Sequence, residues 1–228
     1  MKKLILLLLT IPFASNADQW SDLEIWNVNK VDVTLYDIKD VGKLRLNLEN
    51  ENRYNEPQDN LYQYYFQGFL SIPLPLKGWS IAPGYKFEYN NDKNLYSNIY
   101  MLGLNYKYDK LFGTNWNYQL KNRLEIGDTE KAKDLTYKIR IKNGFSHDLP
   151  INGFNGKPCV ITLSDEIFYL TNIDEFNENR ALLDIEIPLR KNVGFTIGGG
   201  LRSKLLTPKT GERWSDGPMF TFGLHIDF

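Results

Sequence analysis

Cysteine, histidine and long apolar runs are scarce in this chain of 228 residues. Cys159 is the only cysteine, so no intramolecular disulfide can form. Lysine and arginine total 27 against 28 for aspartate and glutamate, and a formal net charge of −1 gives no basic footprint for nucleic acid. The sequence contains no Cys/His cluster, phosphate-cradling glycine loop or helical metal motif, so it predicts neither a cofactor nor a metal site.

The first seventeen residues are typical of a secretory signal peptide. Lys2 and Lys3 precede an apolar run at residues 4–13, and Ser15, Asn16 and Ala17 form a small-residue cleavage site. That run is too short to span a bilayer, and no stretch of about eighteen apolar residues follows residue 17. We therefore predict a signal peptide at residues 1–17 and one mature domain at residues 18–228, which would need strands to enter a membrane.

The last eleven residues, 218–228, alternate strictly between apolar and small or polar side chains. A strand turns alternate side chains to opposite faces, so one face is continuously apolar and the other carries Thr221, Gly223, His225 and Asp227. An exposed apolar edge strand would invite aggregation, whereas a closed barrel in lipid pairs its last strand with its first. This ending resembles the signal that the barrel-assembly machinery reads in bacterial outer-membrane proteins. The residues of that predicted assembly signal are Phe220, Phe222, Leu224, Ile226 and Phe228.

Period-two alternation recurs along the whole mature chain and predicts an all-β protein. The predicted strands are residues 20–36, 43–54, 61–72, 79–89, 96–108, 116–126, 137–145, 161–169, 181–189, 193–201 and 218–228. The longest predicted connections are residues 146–158, 172–179 and 204–217. Bacterial barrels have even strand numbers, and the first segment is long enough to hold two short strands or one strand plus a crossing segment. We predict a single antiparallel transmembrane β-barrel of about twelve strands, with ten as the alternative count.

The polar stripes of these strands are rich in charge. A soluble two-layer β-sandwich would also alternate, with its charges outside, and it is the alternative fold. In a barrel the charged stripes line the lumen, where they must be paired or hydrated because the wall has a low dielectric. His225 is then expected to form hydrogen bonds in the lumen. The charged residues predicted to face the lumen are Arg45, Glu49, Glu51, Arg53, Arg123, Glu125, Lys138, Arg140, Glu166, Asp184, Glu186 and Arg202.

Several short motifs occur in the order found in a known family. The motifs are Trp26, Arg53, Gly84-Tyr85 after Trp79, Arg123 with Glu125, residues 137–140, residues 165–168, and Phe176 followed by Glu178-Asn179-Arg180. In this order the chain resembles domain of unknown function 2490, a family of outer-membrane β-barrels of Gram-negative bacteria. The resemblance implies a barrel in the outer membrane, in contact with outer-membrane lipid. It implies no mechanism, because the family has no established activity.

We predict a structural or porin-like, passive transport role, in which lumen charges would set any selectivity. The alternatives are a barrel enzyme acting on outer-membrane lipid or peptide, and a surface binding protein that uses the loops at residues 172–179 and 204–217. Ser146, His147 and Asp148 are the residue types of a hydrolase triad. Adjacent residues on an extended chain project in different directions and cannot form its relay, so the sequence favours a non-enzyme. The oligomeric state is left open.

Overall fold

The computed structural model describes residues 19–20, 23–55, 60–91, 94–129, 135–171, 175–205 and 214–228. The predicted signal peptide, residues 1–17, lies outside the described residues. No helix in the described part of the chain is both long and apolar enough to cross a bilayer.

Strands account for nearly all of the described chain. They are β1 (Gln19–Trp20), β2 (Glu24–Ile38), β3 (Gly42–Asn55), β4 (Asn60–Pro73), β5 (Trp79–Asn90), β6 (Leu95–Tyr108), β7 (Trp116–Thr129), β8 (Thr136–Asn152), β9 (Pro158–Leu170), β10 (Glu175–Arg190), β11 (Val193–Leu205) and β12 (Trp214–Asp227). One short 3₁₀ turn, Leu111–Gly113, connects β6 to β7.

The long strands close into a single barrel. Each strand from β2 to β12 is antiparallel to the next, and β12 then pairs with β2 in parallel, with Phe220 opposite Ile25 and Ile226 opposite Val31. The two-residue β1 lies on the same edge of β12, where Gln19 is opposite Ser215. The predicted segment 20–36 therefore corresponds to one long strand, β2, preceded by the two-residue β1, and it does not supply a twelfth barrel strand.

The predicted even strand number is corrected to eleven. The even count assumed that the first and last strands run in opposite directions. The parallel pairing of β2 with β12 removes that requirement, because both strands run towards the same end of the barrel. We call this the turn end: it carries the short connections after β2, β4, β6, β8 and β10 and the carboxyl terminus. The opposite end, where β3, β5, β7, β9 and β11 finish, is called the loop end.

Several strands extend further than their apolar alternation predicts. Strand β8 continues to Asn152, so the predicted connection 146–158 shrinks to residues 153–157. Strands β10 and β12 begin inside the predicted loops 172–179 and 204–217, of which residues 172–174 and 206–213 lie outside the described residues. The backbone groups of polar residues at the barrel rim form hydrogen bonds as well as those of apolar residues do. The strands therefore continue beyond the segments in which apolar and polar side chains alternate.

Burial in this barrel is reversed relative to a water-soluble core. On the outer face Leu102 is 55 % exposed, whereas the lumen side chains of Glu166 and Gln67 are 1 % and 2 % exposed. The one cluster of buried apolar residues in the described chain is small: Trp26, Leu182 and Met219, with Val28 packed against it. A closed barrel with polar contents also excludes the two-layer sandwich.

The seam between β12 and β2 closes the barrel. Gly223 approaches β2 so closely that a Cβ atom there would lie 1.6 Å from the carbonyl oxygen of Val28. The backbone N–H of Leu224 donates to Oδ1 of Asn29 at 3.1 Å. The carboxyl-terminal residue also joins the seam, since Phe228 N–H donates to the Asp32 carbonyl and Thr34 N–H donates to the Phe228 carbonyl, both at 2.8 Å.

The residues of the predicted assembly signal share the outer face of β12. Phe220, Leu224 and Phe228 are 38 %, 42 % and 66 % exposed, while their neighbours Thr221 and Gly223 are buried. The last strand therefore shows an apolar row outwards and a small or polar row inwards.

Candidate functional site: the ion-pair belt of the lumen

Charged side chains on the inner face are joined into a network in the loop-end half of the lumen. One arc starts at β2 and runs through β11, β10 and β9. Arg202 donates from Nη1 to Glu24 at 2.5 Å and from Nε to Glu178 at 2.8 Å. Glu178 also accepts from Arg180, whose Nη1 donates to Glu166 at 3.3 Å. Glu178 is thus shared between arginines of two neighbouring strands, and Arg180 bridges two carboxylates.

A second arc continues from β9 through β8 and β7 to β5. Glu166 accepts a hydrogen bond from Nε of Arg140, and Nη1 of Arg140 lies 4.0 Å from Glu125. Glu125 is also 3.5 Å from Nη1 of Arg123 and 4.0 Å from Nζ of Lys86. Glu125 is therefore surrounded by three cations from three strands.

A third arc crosses β5, β4 and β3. Lys86 pairs with Glu88 at 2.9 Å, and Glu88 accepts from the side-chain amide of Gln63 at 2.5 Å. The carbonyl oxygen of Gln63 accepts from Nη1 of Arg53 at 2.9 Å, while Nε of Arg53 donates to Glu51. The side-chain amide of Gln63 thus connects Glu88 of β5 to Arg53 of β3, which have no direct ion pair.

The network then returns across the lumen. The hydroxyl of Tyr65 donates to Glu51 and, at 3.4 Å, to Glu49. Glu49 accepts from the side-chain amide of Gln67 at 2.6 Å, and Gln67 accepts from Arg123 at 3.3 Å. The bonds therefore form a ring from Glu125 back to Arg123, from which the first arc extends to Glu24. We call this network the ion-pair belt. Its members are Glu24, Glu49, Glu51, Arg53, Gln63, Tyr65, Gln67, Lys86, Glu88, Arg123, Glu125, Arg140, Glu166, Glu178, Arg180 and Arg202.

Trp26 lies at the centre of the belt and is 3 % exposed. The guanidinium carbons of Arg53, Arg180 and Arg202 lie 4.0, 4.7 and 5.8 Å from its ring centroid. A guanidinium within about 6 Å of an aromatic face is attracted by the ring quadrupole. The indole therefore stabilises three like charges while keeping them apart, and its N–H donates to Glu24 at 2.9 Å.

The belt is nearly balanced in charge and dry. It contains seven carboxylates and six basic groups, and Glu166, Glu125, Glu51 and Arg53 are each at most 5 % exposed. Buried ion pairs add little net stability because desolvation offsets their attraction, but loss of one partner leaves an uncompensated charge. The belt is therefore expected to fix the arrangement of the lumen.

Of the twelve residues predicted to face the lumen, eight are members of the belt and a ninth lies beside it. Lys138 is beside it, with its ammonium 5.5 Å from the ring of Phe168. Arg45, Asp184 and Glu186 lie nearer the turn end, and Glu49 lies between the two groups. Sequence reasoning did not single out Glu24, Lys86, Glu88, Glu178 and Arg180 as lumen residues. Glu24, Lys86 and Glu88 lie in the polar stripes of predicted strands. Glu178 and Arg180 continue the alternation of Asp184 and Glu186 towards the amino terminus, and that continuation was the signal for them.

The turn-end half of the lumen contains a cavity of about 340 Å³. Basic side chains line it, including Lys30, Arg45, Lys121 and Arg123. Its two acidic residues are Asp32 and Glu49, and Glu49 lies at the inner wall. Gly78, in the turn between β4 and β5, also lines this cavity, so the cavity opens at the turn end. We call this cavity the basic chamber. A smaller cavity of about 100 Å³ shares Lys30 and Glu49 with it and reaches Arg140 and Glu166 of the belt.

The two histidines have separate environments. Nε2 of His225 lies 3.2 Å from Asp32 and Nδ1 lies 3.5 Å from Glu186, so both ring nitrogens face carboxylates. Neither nitrogen is left to act as a base on a hydroxyl. The ring of His147 stacks on Trp116, 4.8 Å between centroids, and its Nδ1 lies 3.2 Å from the Asn115 carbonyl oxygen. Ser146 and Asp148, its chain neighbours in β8, alternate with it along the strand.

In the described part of the chain, no group of three or more His, Cys, Asp or Glu side chains could hold a metal ion. Cys159 is buried as a free thiol.

A comparison with curated proteins found no match. The family model described as protein of unknown function (DUF2490) matches residues 23–204, from just before β2 almost to the end of β11. The match includes all sixteen belt positions, from Glu24 to Arg202, so the belt lies within the part of the chain that the family model covers. The chain belongs to the domain of unknown function 2490 family.

Proposed function

We propose that this protein is a structural β-barrel of the bacterial outer membrane whose lumen does not conduct at rest. In this proposal the signal peptide directs export, the barrel-assembly machinery reads the last strand, and outer-membrane lipid surrounds the outer face. The outer face is apolar and the lumen is charged. This contrast supports a location in the outer membrane, because the hydrocarbon of a bilayer solvates apolar side chains and excludes charged ones.

The spacing of aromatic side chains supports the same location. Tyr89 of β5 and Tyr96 of β6 form one pair, and Trp79 and Tyr106 of the same strands form another, each with centroids 4.9 Å apart. Ten residues separate the two pairs along each strand, which is about 33 Å at ~3.3 Å per residue. A strand tilt of about 40° reduces this to a height of about 25 Å, the usual height of the apolar band between aromatic girdles.

The observation that carries the non-conducting role is the closed ion-pair belt. Its bonds involve every long strand except β6 and β12, and Trp26 occupies its centre. An ion crossing this level would have to displace bonded charges in a low-dielectric site, and the cost of leaving such charges unpaired is several kcal/mol. A porin-like role is the second candidate, favoured by the basic chamber, and it requires the belt to open.

Membrane fractionation and planar-bilayer recording test this proposal together. We expect the mature protein in the outer-membrane fraction, with gel mobility that changes on heating. Wild-type protein should give no conductance steps, whereas the double variant R180A/R202A, which removes two belt arginines next to Trp26, should give steps. Arg190→Ala, at the exposed turn end of β10, is the matched control and should stay silent.

Two results would contradict the proposal. A monomeric mature chain that stays dissolved without detergent would overturn the membrane location. Steady conductance by the wild-type barrel would overturn the closed resting state and favour the porin-like role.

A further inference from the structure

The basic chamber has a concentration of positive charge that the ion-pair belt does not neutralise. Lys30 reaches it from β2, and Lys121 reaches it from β7 on the opposite wall. Lys142 of β8 is the register partner of Lys121 and lines the adjoining smaller cavity. The charges of Lys30 and Lys142 both act on Lys121 as repulsion. Three ammonium groups from three strands are thus held near one another.

The carboxylates near these lysines are engaged elsewhere. Glu49 binds Tyr65 and Gln67 and lies 4.0 Å from Lys30, at the limit of an ion pair. Asp32 accepts from Asn47 at 2.7 Å and faces His225, while Asp184 accepts from Thr221 at 2.8 Å. The remaining carboxylates that act on Lys30 or Lys142 are Glu51 and Glu166, both members of the belt.

Lys121, Lys142 and Arg45 therefore have no carboxylate oxygen within 4.0 Å among the residues that the structure describes. Solvent reaches the chamber, since Lys121 is exposed and the side chain of Lys30 is 51 % exposed although both line the lumen. Side-chain amides of Asn47, Asn105 and Gln119 also line the wall. Cations that share a hydrated cavity with amide donors form a site for a multiply charged oxyanion.

We propose that the basic chamber binds a small, water-soluble phosphate-class polyanion that enters from the turn end. The lysines supply point charges, Arg45 supplies a planar guanidinium, and the amides supply further donors. Glu49 limits the depth of binding, because its carboxylate forms the inner wall shared with the smaller cavity. The site does not require the belt to open, so its test is independent of the conductance test above.

Calorimetric titration of the full-length barrel in detergent tests this site, with inorganic pyrophosphate and inorganic phosphate as probes. Pyrophosphate should bind more tightly than phosphate because it carries more charge. The K121M and K142M variants keep the length of the side chain and remove its charge, and each should weaken pyrophosphate binding by about tenfold. Lys39→Met, in the exposed turn between β2 and β3, is the matched control and should bind as the wild type does.

A second arm separates a free anion from a lipid headgroup. A short-chain phosphatidate should bind no more tightly than phosphate, because its acyl chains would have to enter a chamber lined by charges and amides. Tighter binding of the phosphatidate would overturn the free-anion site. A K121M/K142M double variant with unchanged heat-dependent mobility provides the remaining test. If it binds pyrophosphate as tightly as the wild type does, the chamber is not the site. Absence of pyrophosphate binding to the wild type would also overturn the proposal.

Discussion

The two halves of the lumen both carry charged side chains, but the charges are paired in one half and mostly of one sign in the other. In the loop-end half, the glutamates and arginines of the belt surround Trp26, and each charged member of the belt has a bonded partner. In the turn-end half, lysines predominate around an open cavity and several have no close carboxylate among the described residues. Composition alone does not decide whether a polar lumen is closed or hydrated; the relative positions of the opposite charges do.

Removing one charge from each half should give the largest contrast. Glu166→Gln leaves Arg140 and Arg180 without their shared carboxylate in a site that is 1 % exposed. We expect a loss of about 3–5 kcal/mol in the free energy of unfolding, the usual cost of breaking a buried pair. Urea unfolding of detergent-solubilised barrel, followed by tryptophan fluorescence, measures it.

Arg45→Gln in the basic chamber is the comparison for that variant. Because Arg45 has no bonded carboxylate in the described structure, its loss should change the free energy of unfolding by less than about 0.5 kcal/mol. Equal losses in the two variants would show that the halves do not differ in how their charges are held.

Gly223→Ala should have the next largest effect, because Gly223 lies in the seam between β12 and β2 at the level where the two halves of the lumen meet. Gly223 lies against Val28, between Trp26 of the belt and Lys30 of the chamber, and an added Cβ would overlap the Val28 carbonyl oxygen. Overpacking of this kind costs about 1–3 kcal/mol. A lower unfolding temperature of the heat-modifiable form on gels measures the effect.

Gly144→Ala is the control for the seam variant, since its nearest neighbour would be a carbonyl oxygen at 3.9 Å, an ordinary contact. A seam variant as stable as this control would mean that β12 and β2 can separate slightly without loss of the barrel.

Lys121→Met should have the smallest effect and the opposite sign. Lys121 shares the lumen with Lys30 and with its register partner Lys142, and no carboxylate oxygen of the described residues lies within 4.0 Å of it. Its removal should therefore raise the free energy of unfolding by about 0.5 kcal/mol in the absence of anions. Added pyrophosphate should remove this difference by stabilising the wild type alone. A variant that is less stable than wild type without anions would contradict the excess of positive charge in the chamber.

The alternation of side chains was readable without the fold. In β12, Phe220 and Phe222 share a face and Thr221 lies on the other, because successive residues of any strand point to opposite sides. The same rule placed Glu125 and Glu166 in polar stripes before their partners were known. The rule did not place the strand ends, because the backbone at the barrel rim forms hydrogen bonds whatever the side chain is.

The partners of those charges could not be read from the pattern. Arg202 bonds Glu24, which is 178 residues away in the chain. That contact exists because the parallel seam places β2 beside β12, which separates it from β11 by one strand only. Strand alternation contains no information about which strand closes on which, or in what direction.

By itself the sequence determined an all-β chain with one apolar and one charged face per strand, since that depends only on the period of two along an extended backbone. The tertiary structure decided the odd number of strands, the parallel seam and the division of the lumen into a closed belt and an open chamber. Those features depend on the register in which distant strands pair, because register sets which charges come within bonding distance across the barrel.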